Sequence, residues 1–87
     1  MTPLTAAGDL EHIIEDLPLP REERLALDAS LKRVEALREV DALDLLDDLA
    51  RGLGDRYGTK HPRVGRELAE FRAKLVRARG EARRRLA

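Results

Sequence analysis

Apolar residues recur along this chain at spacings of three and four, in three stretches punctuated by prolines and glycines. Leu10, Ile13, Ile14 and Leu17 make the first stripe. That spacing puts them on one face of a helix and predicts a short helix over 5–17. Leu17-Pro18-Leu19-Pro20 ends it, because proline lacks an amide donor and holds the residue before it out of the helical region.

Pro20 suits the first turn of a second helix, and Glu22 and Glu23 behind it favour the positive end of the helix dipole. From there Leu27, Leu31, Val34, Arg38, Ala42, Leu45 and Leu49 step by three and four, the drift of a straight helix. No glycine or proline interrupts 21–51, so the pattern predicts one helix over 21–53, about 45–50 Å long. A break near Val40 is the alternative, with Asp41 capping a new helix. Gly52, Gly54 and Gly58 predict a stop, with glycine supplying a left-handed residue, and a loop over 54–61. Pro62 then opens a last helix over 62–85. Its stripe of Val64, Leu68, Phe71, Leu75, Ala78 and Ala82 has the alternating spacing of a coiled-coil seam. Gly80 weakens its later turns, and Arg83-Arg84-Arg85 is expected to fray while suiting the negative end of the dipole.

The predicted fold is therefore all-α: an antiparallel helical hairpin or small bundle. The chain has 87 residues, one domain's worth. Its core stock is lean. Twelve of its apolar residues are alanine, and Phe71 and Tyr57 are its only aromatics. There is no cysteine to staple the fold. Lean cores of this size are commonly completed by oligomerisation. The expectation is a homo-oligomer, a dimer first, or a complex with another helical protein. In it Leu27, Leu31, Val34, Leu45, Leu49, Val64, Leu68, Phe71 and Leu75 form the interface, and two hairpins complete a four-helix bundle.

Charge adds a polarity that the net value of zero conceals. Residues 1–50 carry 13 acidic and 5 basic side chains; residues 51–87 carry 4 and 12. The two halves can satisfy each other within or between chains. Asp41, Asp44 and Asp48 share a helix face, and are expected near arginines of the last helix. Those arginines form two rows: Arg72, Arg79 and Arg83 along one edge, Arg66, Arg77 and Arg84 along another. Basic rows can contact phosphates, so Arg77, Arg79, Arg83, Arg84 and Arg85 are the candidate polyanion-binding residues of a rival reading, an accessory nucleic-acid-binding protein. Glu67, Glu70 and Glu81 interrupt the rows, and no aromatic stands ready to stack on bases.

Catalytic and metal chemistry lack their parts. His12 and His61 have no second ligand at helical spacing beyond the acids near His12, short of the three or four a metal needs. Asp41, Asp44, Asp47 and Asp48 lack a glycine-bearing calcium loop. Ser30 is the only serine and has no glycine elbow. Gly52-Leu53-Gly54 lacks the Gly-Lys-Ser/Thr ending of a phosphate loop. The reading is a non-catalytic protein without cofactor or metal. No run approaches the length of a membrane span, and Met1–Leu10 does not read as a signal peptide. The absence of cysteine suits a reducing, cytoplasmic setting.

Pro20-Arg21-Glu22-Glu23-Arg24-Leu25, a long amphipathic stretch, and Tyr57-x-x-x-His61-Pro62 ahead of a final amphipathic helix resemble a family of short bacterial helical proteins of unknown function. In that family an aromatic stands shortly before a His-Pro pair at the start of the last helix. The resemblance covers about two thirds of the chain. It implies a helical hairpin and no activity, and the arginine-rich tail lies outside it.

Overall fold

Thr2 and Pro3 start the first helix in this computed structural model, which describes residues 1–86. The Thr2 hydroxyl accepts from the Thr5 amide at 3.2 Å, and Pro3 follows at the first helical position, where its missing amide costs nothing. α1 spans Pro3–Ile14, two residues earlier at its start than the apolar stripe alone suggests. A Thr-Pro pair is itself a start signal.

α2 spans Arg21–Arg33 and begins on Pro20, whose carbonyl accepts from Arg24 at 2.9 Å. The expected continuous helix over 21–53 is not formed. A 3-10 turn at Val34–Ala36 tightens the end of α2, then Leu37 and Arg38 are extended, and α3 spans Glu39–Tyr57. The break falls ahead of Val40, and Arg38, not Asp41, occupies the cap position without a side-chain cap bond. No glycine or proline causes it. Burial does: Val34 is buried and Leu37 packs on the core, and the corner between them folds α2 back toward α3. A straight rod would have left its leucine stripe in water.

α3 runs through Gly52 and Gly54, which the sequence suggested as stops. No described residue has a positive φ, so no glycine here serves a left-handed turn. The close approach of two helices explains two of them instead. The loop before α4 shortens to residues 58–61, and α4 spans Pro62–Leu86. A Cβ added to Gly65 would lie 3.0 Å from the Gly58 Cα and carbonyl oxygen. The backbone just past the end of α3 therefore touches the first turn of α4. At Gly8, Gly54 and Gly80 an added Cβ would meet nothing within 4 Å. α4 continues past Gly80 and through Arg83–Arg85, the part expected to fray.

The four helices close one core. α3 and α4 form an antiparallel hairpin, α1 packs on both, and α2 with its 3-10 turn packs on α3. Leu10, Ile14, Leu43, Leu46, Leu53, Leu68 and Leu75 are fully buried at its centre. Ala6, Ala42 and Ala50 are sealed as well, so the many alanines bring helix axes close rather than leaving gaps. Among the described residues no polar or charged side chain is buried and there is no strand. No described helix is long and apolar enough to cross a membrane.

Candidate functional site

The nine residues expected to make an intermolecular seam have another use. Leu27, Leu31, Val34, Leu68, Phe71 and Leu75 are buried in the chain's own core, and Leu45, Leu49 and Val64 pack against it. The chain supplies four helices by itself, and these side chains pack among them. What remains on the surface is mostly charge. The large apolar residues left exposed are Met1, Leu4, Leu25, Val76 and Leu86.

The two arginine rows of α4 take different roles. The first faces α3. Arg72 donates from Nε to Asp47 at 2.9 Å, and Arg79 from Nη1 to Asp44 at 2.8 Å. Arg85 donates to Glu39 further along the hairpin. Each hydrogen bond to an aspartate raises the pKa of its arginine further, Asp47 acting on Arg72 and Asp44 on Arg79. Asp48 and Asp55 add to the field at Arg72, so α3's outer carboxylates stand on the same side of the hairpin. The expectation that the α3 acids meet the α4 arginines holds for Asp44, and Asp47 joins it. Asp48 makes only an exposed contact of 3.6 Å with Arg51 on its own helix. Asp41 forms no ion pair among the described residues.

The second row faces away. At about 100° per residue, Arg66, Arg77 and Arg84 lie within about 20° of one line, opposite the buried Leu68, Phe71, Leu75 and Ala82. All three are exposed and form no ion pair among the described residues. Ala73 and Gly80 lie near the same line, with Glu70 to one side. Of the candidate polyanion-binding residues, Arg79 and Arg85 are therefore engaged with carboxylates, whereas Arg77, Arg83 and Arg84 point into solvent. Arg66 belongs with them.

α3 carries a matching line of the opposite sign. Asp41, Asp48 and Asp55 are spaced by seven residues, and all are exposed. Hairpin packing sets α3 and α4 about 8–10 Å apart, so an acidic line and a basic line run side by side, with Asp48 also bordering the groove between α2 and α3.

Comparison with known protein families, characterised proteins and solved structures finds no match to this chain.

Two features elsewhere were not legible as pairs in the sequence. His12 and His61, 49 residues apart, line one open cleft of about 500 Å³ between the end of α1 and the start of α4, with Glu15, Asp16, Lys60 and Glu67. No three His, Asp or Glu side chains among the described residues converge to hold a metal. At the α2–α3 contact, the Tyr57 hydroxyl donates to Glu23, and Arg56 donates to the same carboxylate at 2.7 Å. The Tyr57 bond, helped by Arg56, lowers the Glu23 pKa against an opposing push from burial. The same bond raises that of Tyr57. Ser30 lines the shallow groove beside this contact, with no histidine in it.

Proposed function

We propose that the chain is a non-catalytic protein–protein interaction module, and that its binding surface is the charged outer face of the α3–α4 hairpin. The observation that carries this reading is the solvent-facing row Arg66, Arg77 and Arg84. Three guanidinium groups on a helix pinned by a buried core and by ion pairs to α3 are pre-organised donors for carboxylates. A rigid helix also loses little ordering entropy on binding. Most apolar side chains are used inside and Val76 is the one large apolar residue beside the row, so contacts on this face are chiefly polar and electrostatic, which favours specificity and rapid encounter over high affinity.

A second reading, an accessory nucleic-acid-binding protein, is favoured by the same free arginines. Against it stands the line Asp41, Asp48 and Asp55. A polyanion laid along α4 would run within about one screening length, ~10 Å, of those carboxylates. Neither is there an aromatic on the face to stack on bases.

The test is sedimentation of the wild type alone and with duplex DNA, beside the variant Arg66→Glu, Arg77→Glu, Arg84→Glu. The interaction reading expects association without DNA that the variant loses while keeping its helical circular dichroism. An inert wild type, monomeric at high concentration and blind to DNA, overturns both readings.

A further inference from the structure

We infer that the partner of this face is a second copy of the same chain, docked about a two-fold axis that runs along the hairpin. The inference rests on the interaction-module reading and specifies its occupant.

Symmetry comes first. A face with an acidic line on one side and a basic line on the other has only two simple ways to stack on its own copy. A two-fold axis across the helices sets α3 on α3 and α4 on α4, like charge on like. An axis along the helices sets α3 of one copy over α4 of the other, twice, as an isologous interface requires. Charge complementarity selects the second arrangement. It also sets the stacked helices antiparallel, because α3 and α4 are antiparallel within the chain.

Register comes next. The in-chain ion pairs fix which levels of the two helices stand together: Glu39 with Arg85, Asp44 with Arg79, Asp47 with Arg72. Rotation about an axis along the hairpin preserves those levels. At them, Asp41 stands beside Arg84, Asp48 beside Arg77 and Asp55 beside Arg66, each within about one helical turn. Three exposed carboxylates of each copy thus meet three exposed guanidinium groups of the other without any sliding. A polyanion would use only the basic half of this match and would be repelled by the other half. A second copy uses both.

The face also permits the approach. Ala69, Ala73 and Gly80 lie between the arginines, and the space above Gly80 is open. Val76, half exposed, is the one larger apolar side chain on this strip. Between the arginines these small side chains leave room for the carboxylate side chains of a neighbouring helix.

The experiment is a charge swap read by sedimentation equilibrium of the full chain. Wild-type association is expected to weaken at least about tenfold on going from about 0.1 M to about 1 M salt, as the screening length falls from about 10 to 3 Å. One triple variant reverses the acids (Asp41→Arg, Asp48→Arg, Asp55→Arg); the other reverses the bases (Arg66→Glu, Arg77→Glu, Arg84→Glu). Each alone is expected to be monomeric, and their equimolar mixture to form a heterodimer. Asp48→Arg with Arg77→Glu forms a milder pair with the same expectation, should a triple variant lose its helicity. Glu11→Arg, on the outer face of α1, should leave association unchanged. A wild type that associates while mixing restores nothing overturns this inference and leaves an interaction module that self-associates through another face. A monomeric wild type that binds duplex DNA through the α4 row overturns it in favour of the polyanion reading. A wild type that does neither removes the module as well.

Discussion

Arg79 and Asp44, 35 residues apart in sequence, meet at 2.8 Å across the α3–α4 seam. Side-chain exposures of 30% and 39% keep both groups in reach of water. A double-mutant cycle with Asp44→Ala and Arg79→Ala should therefore give a coupling of about 0.2–1 kcal/mol, the range of partly exposed pairs. Urea unfolding of the four proteins measures it. A coupling of several kcal/mol would show that the seam is drier than its exposure indicates.

The core should answer much more strongly. Leu46 is fully buried, and Leu46→Ala is expected to cost about 2–5 kcal/mol through lost transfer energy and the cavity left behind. Leu25 is 57% exposed, and Leu25→Ala should stay within about 0.5 kcal/mol of wild type. Leu75→Asp, which a seam between chains would answer with dissociation, is expected to unfold the monomer. Circular dichroism and sedimentation of the same sample separate the two.

The Tyr57–Glu23 contact makes stability depend on pH at both extremes. The folded chain lowers the Glu23 pKa from 4.5, chiefly through the Tyr57 hydrogen bond. That contribution is complete above pH 4.5 and is lost as pH falls through the folded value. Tyr57 is raised from 10.0 by the same bond, so its contribution is complete below pH 10 and is lost as pH rises through the folded value. Tyr57→Phe should lower Tm by a constant amount across neutral pH, and the gap to wild type should close in acid. Tyr57 is the only tyrosine and there is no tryptophan, so its ultraviolet titration can be followed directly. A midpoint at or below 10 in the native protein would rule the bond out.

Glycines at equal helical depth should behave oppositely. Gly65→Ala drives a methyl to 3.0 Å from the Gly58 backbone and should destabilise by about 1–3 kcal/mol, as overpacking does. Gly8→Ala meets open space and should stabilise by up to about 1 kcal/mol through helix propensity. Thermal melts of the two variants moving in the same direction would refute this account of the hairpin crossing.

The last helix was the most legible element, because its stripe of Val64, Leu68, Phe71, Leu75, Ala78 and Ala82 has one period and a proline at its start. The break between Val34 and Glu39 was not. No local residue demands it, and only the gain from folding two leucine-bearing segments against one core explains it. The same blindness governs the site. Both arginine rows are plain in the sequence, but which of them meets Asp44 and Asp47 depends on how α4 is rotated against α3. That rotation is set by Leu68 and Leu75 entering the core. Asp55 stands apart from the dense acidic cluster in sequence and joins Asp41 and Asp48 only because α3 runs on through Gly52 and Gly54. The burial of Leu27, Leu31 and Val34 by their own chain followed from α2 turning back, which a straight-helix reading could not foresee.

The four-residue connection between α3 and α4 has a kinetic consequence. Closing so short a loop costs little chain entropy, and the contacts nearest it, such as Gly58 with Gly65, are local in sequence, so the longer-range pairs along the hairpin can form by zipping from that end. The hairpin is therefore the natural folding nucleus, while α1, whose contacts on α4 lie some fifty residues away along the chain, is placed to dock after the rate-limiting barrier. Stopped-flow experiments should find that Leu46→Ala and Leu75→Ala slow refolding, whereas Leu10→Ala mainly speeds unfolding. The time a native molecule survives before opening would then be set at the α1 contact, at the far end of the sequence from the helix that carries its charge.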